Sequence, residues 1–328
     1  ARERSPFARG DAVSASRLET YATCPYRYFL RYGLGIEQVE EPEAIERMDH
    51  LQRGSLIHEI LQRFMQAIGR GDPPARARRA EHLPRLLAIA RECGKDRVRR
   101  GVAGKPLIWE RDRREIEEDL VRWYDREADA LAADPALLPG AHEARFGTMP
   151  YGGEGEDPLL SSDEPLAITV AGRAMRVQGR IDRIDWDDAR TRYRVIDYKT
   201  GKFGHASGSF LARGEALQLP LYLLAASQML GIAPDHGQAQ YFHATGRGNF
   251  QRHTIDGATL RAARARFDQV LATVADGVDG GFFAPNPQRG HCQWCDYKDV
   301  CDRRIDRIAQ RKRGDARGAA YAALEEIP

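Results

Sequence analysis

Two carboxylates and a lysine stand at a spacing suited to phosphate chemistry. One aspartate lies in Gly179-Arg180-Ile181-Asp182-Arg183-Ile184-Asp185, a second in Val195-Ile196-Asp197-Tyr198-Lys199-Thr200-Gly201. Asp197 and Lys199 are two apart, so on a strand both side chains leave the same face. A hairpin partner strand would bring Asp182 beside them. Converging carboxylates repel unless a divalent cation neutralises them, and Mg²⁺ (or Mn²⁺) takes one or two carboxylates plus waters and phosphate oxygens. Such an ion polarises a phosphodiester and acidifies a bound water, while a lysine positions that water and offsets charge in the transition state. Taken alone, an Asp and a Lys two apart are more often an edge ion pair. Company adds weight: Gln218 and Tyr222, four apart on a helix, share a face from which they can bond a phosphate, a base edge or Lys199, or serve as polar trim. His58, in Gly54-Ser55-Leu56-Ile57-His58, is a metal ligand or a boundary histidine at the rim of an apolar stripe.

A second constellation is made of sulfur. Of five cysteines, Cys292, Cys295 and Cys301 crowd together beside Trp294 and Tyr297, which could shield a cofactor. That spacing argues for a metal site and a reducing compartment rather than a disulfide framework. Cys24 is the best fourth ligand, because Cys93 lies in a charged helical context without neighbouring aromatics. Four thiolates suit zinc or an iron-sulfur cluster, and ligand chemistry alone does not separate these.

The elements that must position these residues can be read from periodicity. Ser14 to Tyr32 reads as helix, break near Pro25, helix, with Cys24 at the break. Ile57, Ile60, Leu61, Phe64 and Ile68 form the apolar stripe of a helix from about Gly54 to Ile68. Asp72 to Ala133 is mostly helical, punctuated by Pro73-Pro74, Gly101 and Gly104. The period then changes: Leu166 to Val170 and Met175 to Ile184 alternate as strands, and Tyr193 to Lys199 repeats the pattern after a turn at Asp187 to Arg190. A glycine-rich loop from Gly201 to Gly214 precedes a helix over Ala216 to Leu230, strands at Gln238 to Ala244 and Arg252 to Ile255, and a helix from Thr259 to about Val274. This predicts a mainly helical part over residues 1–140 and an α/β core over 141–328.

Composition sets wide bounds. With 42% hydrophobic residues among 328, the chain can bury a core of one large or two ordinary domains. Fifty basic residues against 48 acidic ones leave a net charge of +2, which neither demands nor excludes a polyanion. Arginines gather in Arg76 to Arg114 and Arg303 to Arg313, either to track phosphates or as solvated faces, since acids interleave in Glu110 to Asp119. No apolar run of about 18 residues and no secretory leader pattern occurs, so a cytoplasmic protein without membrane partners is expected. The opening Ala-Arg-Glu-Arg lacks methionine, which suits either a piece of a longer chain or a processed product.

Taken together, a glycine-bearing strand with Asp182, an Asp-x-Lys strand and a Gln-x-x-x-Tyr helix resemble the RecB and AddB branch of the PD-(D/E)XK nucleases. Gly54 to His58 is similar to that family's upstream Gly-x-x-(Leu/Val)-His helix. The resemblance implies that Asp182, Asp197 and His58 bind the metal with the Tyr198 carbonyl as an extra ligand. It makes Lys199 catalytic, lets Gln218 and Tyr222 shape the site, and matches Glu143 to a further acidic position. The stretch from Tyr21-Ala22-Thr23-Cys24-Pro25 to Phe29 also resembles the AddB entry helix. There Cys24, Cys292, Cys295 and Cys301 would hold a [4Fe-4S] cluster joining the two ends, whose loss would unfold the domain. The implied fold is α/β, a restriction-endonuclease-like core with a helical N-terminal part. The implied activity is metal-dependent, exonuclease-type cutting of DNA ends or single strands in double-strand-break repair and recombination, within a helicase-nuclease and beside a helicase partner. Competing expectations are a stand-alone exonuclease of the CRISPR-adaptation type, a non-cutting DNA-binding scaffold, and a zinc protein with no nuclease role. No Gly-x-x-x-x-Gly-Lys-(Ser/Thr) motif occurs, so the chain carries no motor signature.

Overall fold

The computed structural model describes residues 5–37, 45–148, 157–202, 210–287, 291–301, 304–312 and 314–327. Part of the loop expected over Gly201 to Gly214, residues 203–209, lies outside them, as do Arg303 and Arg313.

At the N-terminal end, short helices α1 (Pro6–Arg9), α2 (Ala15–Thr23) and α3 (Pro25–Tyr28) flank strand β1 (Ala12–Ser14). Ser14 caps α2 by accepting from the Arg17 amide, and Cys24 stands between α2 and α3 where Pro25 opens the next helix. Three long helices follow: α4 (His50–Ile68), α5 (Arg79–Arg99) and α6 (Pro106–Ala133). Helix α4 begins a turn earlier than the stripe predicts because Asp49 caps it, accepting from the Gln52 amide at 2.7 Å.

The strands are β2 (Leu138–Phe146), β3 (Leu166–Val170), β4 (Arg173–Trp186), β5 (Tyr193–Lys199), β6 (Gly237–His243) and β7 (Arg252–Asp256). Helix α7 (Gln218–Leu230) connects β5 to β6, and α8 (Gly257–Ala262) and α9 (Arg264–Asp279) follow β7. Within the described residues the sheet runs β1-β4-β5-β6-β7, with β2 and β3 also paired to the long strand β4. Strands β5 and β6 are parallel, which requires a crossover, and α7 supplies it.

Alternation along β5 and β6 builds three layers. Tyr193, Val195, Ala239 and Tyr241 join a core with residues of α2, α7 and α9, while Ile196, Tyr198 and Phe242 join a second core with α4, α5 and α6. Both sheet faces are covered, so β5 is a nearly continuous buried run. Asp197 and Lys199 share the parity of Val195 and so leave the sheet on the α7 face.

Two elements differ from expectation. The single helix from Thr259 breaks at Ala263 into α8 and α9, and α9 continues to Asp279. Strand β2 was not legible: buried over nearly its whole length, it does not alternate, and its register shifts between Pro139 and Ala141. The arginines of residues 76–114 largely pair with acids of the same helical layer, as Arg76 and Arg79 do with Asp125, and Arg91 and Arg113 with Glu117. That favours the solvated-face reading.

Candidate active site

The sheet aligns three carboxylates in a row. In the β4–β5 register Arg183 faces Ile196, so the next position sets Asp182 against Asp197. In the β2–β4 register His142 faces Arg183 and Ala144 faces Ile181, so Glu143 falls across from Asp182. Like charges directly opposite one another destabilise a sheet. Beyond the last paired residues, the Tyr198 amide donates to Asp182 Oδ2 at 2.7 Å. Glu143 itself sits at φ 55°, a left-handed conformation that a residue with a Cβ adopts only at a cost of about 1–3 kcal/mol.

Helix α4 brings His58 to this row. Its Nδ1 lies 3.4 Å from Asp182 Oδ2, and His58, Glu143 and Asp182 each offer a ligand atom within 4.8 Å of the others. Gly54, one turn earlier, lets α4 approach, since a Cβ there would stand 3.3 Å from Thr200 Oγ1. Lys199 Nζ lies 2.5 Å from the buried Asp197 Oδ2, an ion pair within the site. The ammonium also donates to Gln218 Oε1 at 2.7 Å and sits 4.7 Å from the Tyr241 ring centre. Tyr222 hydrogen-bonds Gln218 and packs edge-on against Phe146. A Cβ at Gly179 would fall 2.9 Å from Phe146 and 3.1 Å from Tyr222, which explains the glycine in that strand.

The electrostatics of the row favour an added positive charge. Burial, reinforced by Asp182, pushes Asp197 and Glu143 above the usual carboxylate range, against the pull of Lys199 and Arg180 respectively. Burial also opposes the Asp182 anion, yet His58 and the Tyr198 amide outweigh it and hold its pKa below the ordinary value. For His58, burial is likewise outweighed, by Asp182 first and then by Asp197 and Glu143, which lifts the imidazole to about 9. Two buried acids held above the usual carboxylate range, with Asp182 and the His58 imidazole between them, make a donor set of oxygens and one nitrogen that fits a hard divalent cation. The site opens into a cleft of ≈ 960 Å³ lined by His58, Glu143, Asp182, Tyr198 and Lys199, with Arg100, Arg180 and Lys202 on its walls.

A buried charge network holds the strands beneath. Arg183, fully buried, forks onto Asp185 at 2.5 and 2.8 Å and reaches Glu127 of α6 at 2.7 Å and the Tyr198 hydroxyl at 3.2 Å. Arg194 and Arg252 complete it, at 2.8 Å from Asp185 and 2.6 Å from Glu127. Losing one member would strand a buried charge. The Tyr198 hydroxyl therefore serves this network, while its ring packs edge-on against His58 at 6.2 Å.

The expected residues do not all gather equally. Asp182 and His58 meet with Glu143, whereas Asp197 leans on Lys199 and stands outside that closest trio. Three contributors escaped the sequence reading or were weakly placed: Glu143 on the unrecognised β2, Arg180 paired to it at 2.7 Å, and Glu19 of α2, which reaches the start of α7. Burial lifts the Glu19 carboxyl to about 7, against the Leu217 amide that bonds it.

The four candidate cysteines fall together in space. Cys24, Cys292, Cys295 and Cys301 line one pocket of ≈ 360 Å³. Burial raises the Cys301 thiol to about 11 and the Cys292 thiol in the same direction, and in both the neighbouring cysteines add to the shift. Thiols that disfavour each other's anions are what a cationic centre would relieve. Tyr297 lines the pocket and donates to Ile36 O at 2.8 Å, but Trp294 is 81% exposed and shields nothing. Cys93 is buried elsewhere, 3.2 Å from Arg63 Nη1.

An α/β fold with three carboxylates, a histidine and a paired lysine at the edge of its central strands defines a nuclease-type protein. Residues 12–302 match the family described as the PD-(D/E)XK nuclease superfamily, and the chain belongs to it. It is similar to a subunit of the ATP-dependent helicase/deoxyribonuclease of Moorella thermoacetica, 31% identical over 254 residues, 73% of this chain and 20% of that protein. The subunits of the same name from Carboxydothermus hydrogenoformans and Lachnoclostridium phytofermentans are 30% and 28% identical, over 68% and 66% of this chain and 19% and 17% of theirs. The chain thus spans about a fifth of the length of these curated relatives. No helix among the described residues is long and apolar enough to cross a membrane.

Proposed function

We propose that this chain is the nuclease part of a helicase-nuclease, a metal-dependent deoxyribonuclease that cuts DNA ends or single strands during double-strand-break repair and recombination. The observation that carries the reading is the row Glu143, Asp182 and Asp197 with His58 above it and Lys199 beside it. Asp182, His58, Glu143 and Asp197 would hold Mg²⁺ or Mn²⁺, with the Tyr198 carbonyl as a further ligand. Bound there, the cation would polarise the scissile phosphate and lower the pKa of a water. Lys199 would orient that water and offset charge on the phosphate oxygens, and Gln218 and Tyr222 would fix the lysine. In this reading residues 1–140 supply His58 and Cys24, and residues 141–328 the catalytic strands. Cys24, Cys292, Cys295 and Cys301 would carry a [4Fe-4S] cluster, a reading supported by the pocket that the four share. A helicase would be the partner that feeds DNA to the cleft, an arrangement supported by the names of the relatives.

The test is cleavage of end-labelled single-stranded and duplex DNA by anaerobically purified protein with Mg²⁺. Cutting is expected from the wild type and is abolished by EDTA and by Lys199→Ala. A folded, DNA-binding wild type that leaves both substrates intact would turn the chain into a scaffold.

A further inference from the structure

Helix α7 starts without a cap of its own. Leu217, at its N-cap, has no side chain to offer the unpaired amides of the first turn. A carboxylate from another helix takes that place: Glu19 Oε1 accepts from the Leu217 amide at 2.8 Å and from the Gln218 amide at 3.0 Å. Gln218 is the first residue of α7, and its side-chain oxygen accepts from Lys199 Nζ at 2.7 Å. One unbroken chain of hydrogen bonds therefore runs from α2, through the backbone of Gln218, to the ammonium. The same α2 ends at Cys24, where the Cys24 amide donates to Thr20 O, so one nine-residue helix touches both the cysteine pocket and the start of α7.

We propose that Glu19 is a positioning residue for the catalytic lysine: by capping α7 from outside, it fixes Gln218, and Gln218 holds Lys199 beside Asp197. The proposal rests on the nuclease reading of Lys199. Glu19 touches neither DNA nor metal in this account; it acts through Gln218, where small displacements are costly because a reacting group misplaced by about 1 Å can lose about a hundredfold in rate. An ordinary stabilising cap would alter only the melting temperature. A positioning cap alters turnover at unchanged substrate affinity.

The experiment compares wild type, Glu19→Ala, Glu19→Gln, Gln218→Ala and the Glu19→Ala/Gln218→Ala pair, using a single-stranded oligonucleotide with Mg²⁺ and amide hydrogen exchange at residues 217 and 218. Glu19→Ala is expected to speed exchange at those two amides and to lower kcat about ten- to a hundredfold, with KM within about twofold. Glu19→Gln keeps an accepting oxygen and restores both properties. The double variant is no slower than Gln218→Ala, since both act on one path. Glu19→Ala that exposes the amides yet cuts at the wild-type rate overturns the proposal, as does a loss confined to KM or a double variant with additive losses. Should Glu19→Ala fail to fold, Glu19→Asp, whose oxygen is withdrawn by one methylene, must show the same pattern in smaller measure, and wild-type turnover there overturns the proposal. A wild type that does not cut at all removes the nuclease reading itself, an outcome distinct from a cutting enzyme indifferent to Glu19.

Discussion

Around Asp182, groups from α4, β2, β4 and β5 meet at short distances, whereas the four cysteines line a separate, smaller pocket at the meeting of the chain's two ends. The carboxylate row is fixed by two strand registers and by the Arg183 network underneath, and its charges are at odds with one another. The cysteine region is closed by other means. Tyr21 donates to Phe282 O at 2.7 Å, Tyr321 to Ala22 O at 2.9 Å, and Tyr21, Tyr28, Phe29, Phe283 and Tyr321 pack as an aromatic group. The difference teaches where each function is stored. The chain's two ends are joined by aromatics around the cysteines, while in the proposed reading chemistry is concentrated in groups that the fold tolerates at a cost.

Disturbing the cysteine region should produce the largest effect on the fold. Cys24→Ala is expected to abolish visible iron-sulfur absorbance and to lower the melting temperature by roughly 10 °C, about 3 kcal/mol at 2–4 °C per kcal/mol. The aromatic clamp should keep a cooperative transition, readable by calorimetry, where the cluster as sole fastener would leave none. Wild-type melting in Cys24→Ala would remove the pocket from the account.

A smaller effect, confined to the carboxylate site, follows from His58. Its pKa is raised to about 9, so in the metal-free protein its contribution to stability is full below its ordinary value near 6.5 and is lost as pH rises through about 9. A cation must displace that proton. Metal affinity is therefore expected to rise about tenfold per pH unit from 7 to 9 and then level off, with one proton released per ion, measured by calorimetric Mn²⁺ titration in buffers of differing ionisation enthalpy. An affinity flat over that range would take His58 out of the ligand set.

Much of this was legible in sequence because strand parity is strict: the spacing of Asp197 and Lys199, and the turn between β4 and β5, place Asp182 without further information. Helical spacing puts Gln218 and Tyr222 on one face, their role in the site comes with the family resemblance, and Cys24 is picked out by that resemblance and by the charged surroundings of Cys93. Glu143 entered through the family resemblance alone, since a strand buried along its length loses its alternation, and a left-handed backbone at a glutamate leaves no signal in residue type. Glu19 resisted reading for another reason. Its role depends on two helices far apart in sequence meeting end to side, which no local pattern encodes. The cap that starts α4 a turn early was present as Asp49 but lay outside the apolar stripe.

The most direct test is Asp197→Asn, read for cutting and for melting on one preparation. Burial disfavours the Asp197 anion in the folded state, so a neutral amide should leave the metal-free melting temperature unchanged or raise it slightly, while cleavage of end-labelled DNA falls roughly a thousandfold. An Asp197→Asn protein that cuts at the wild-type rate, or that loses activity only because it unfolds, would contradict the claim that this carboxylate row is kept for chemistry.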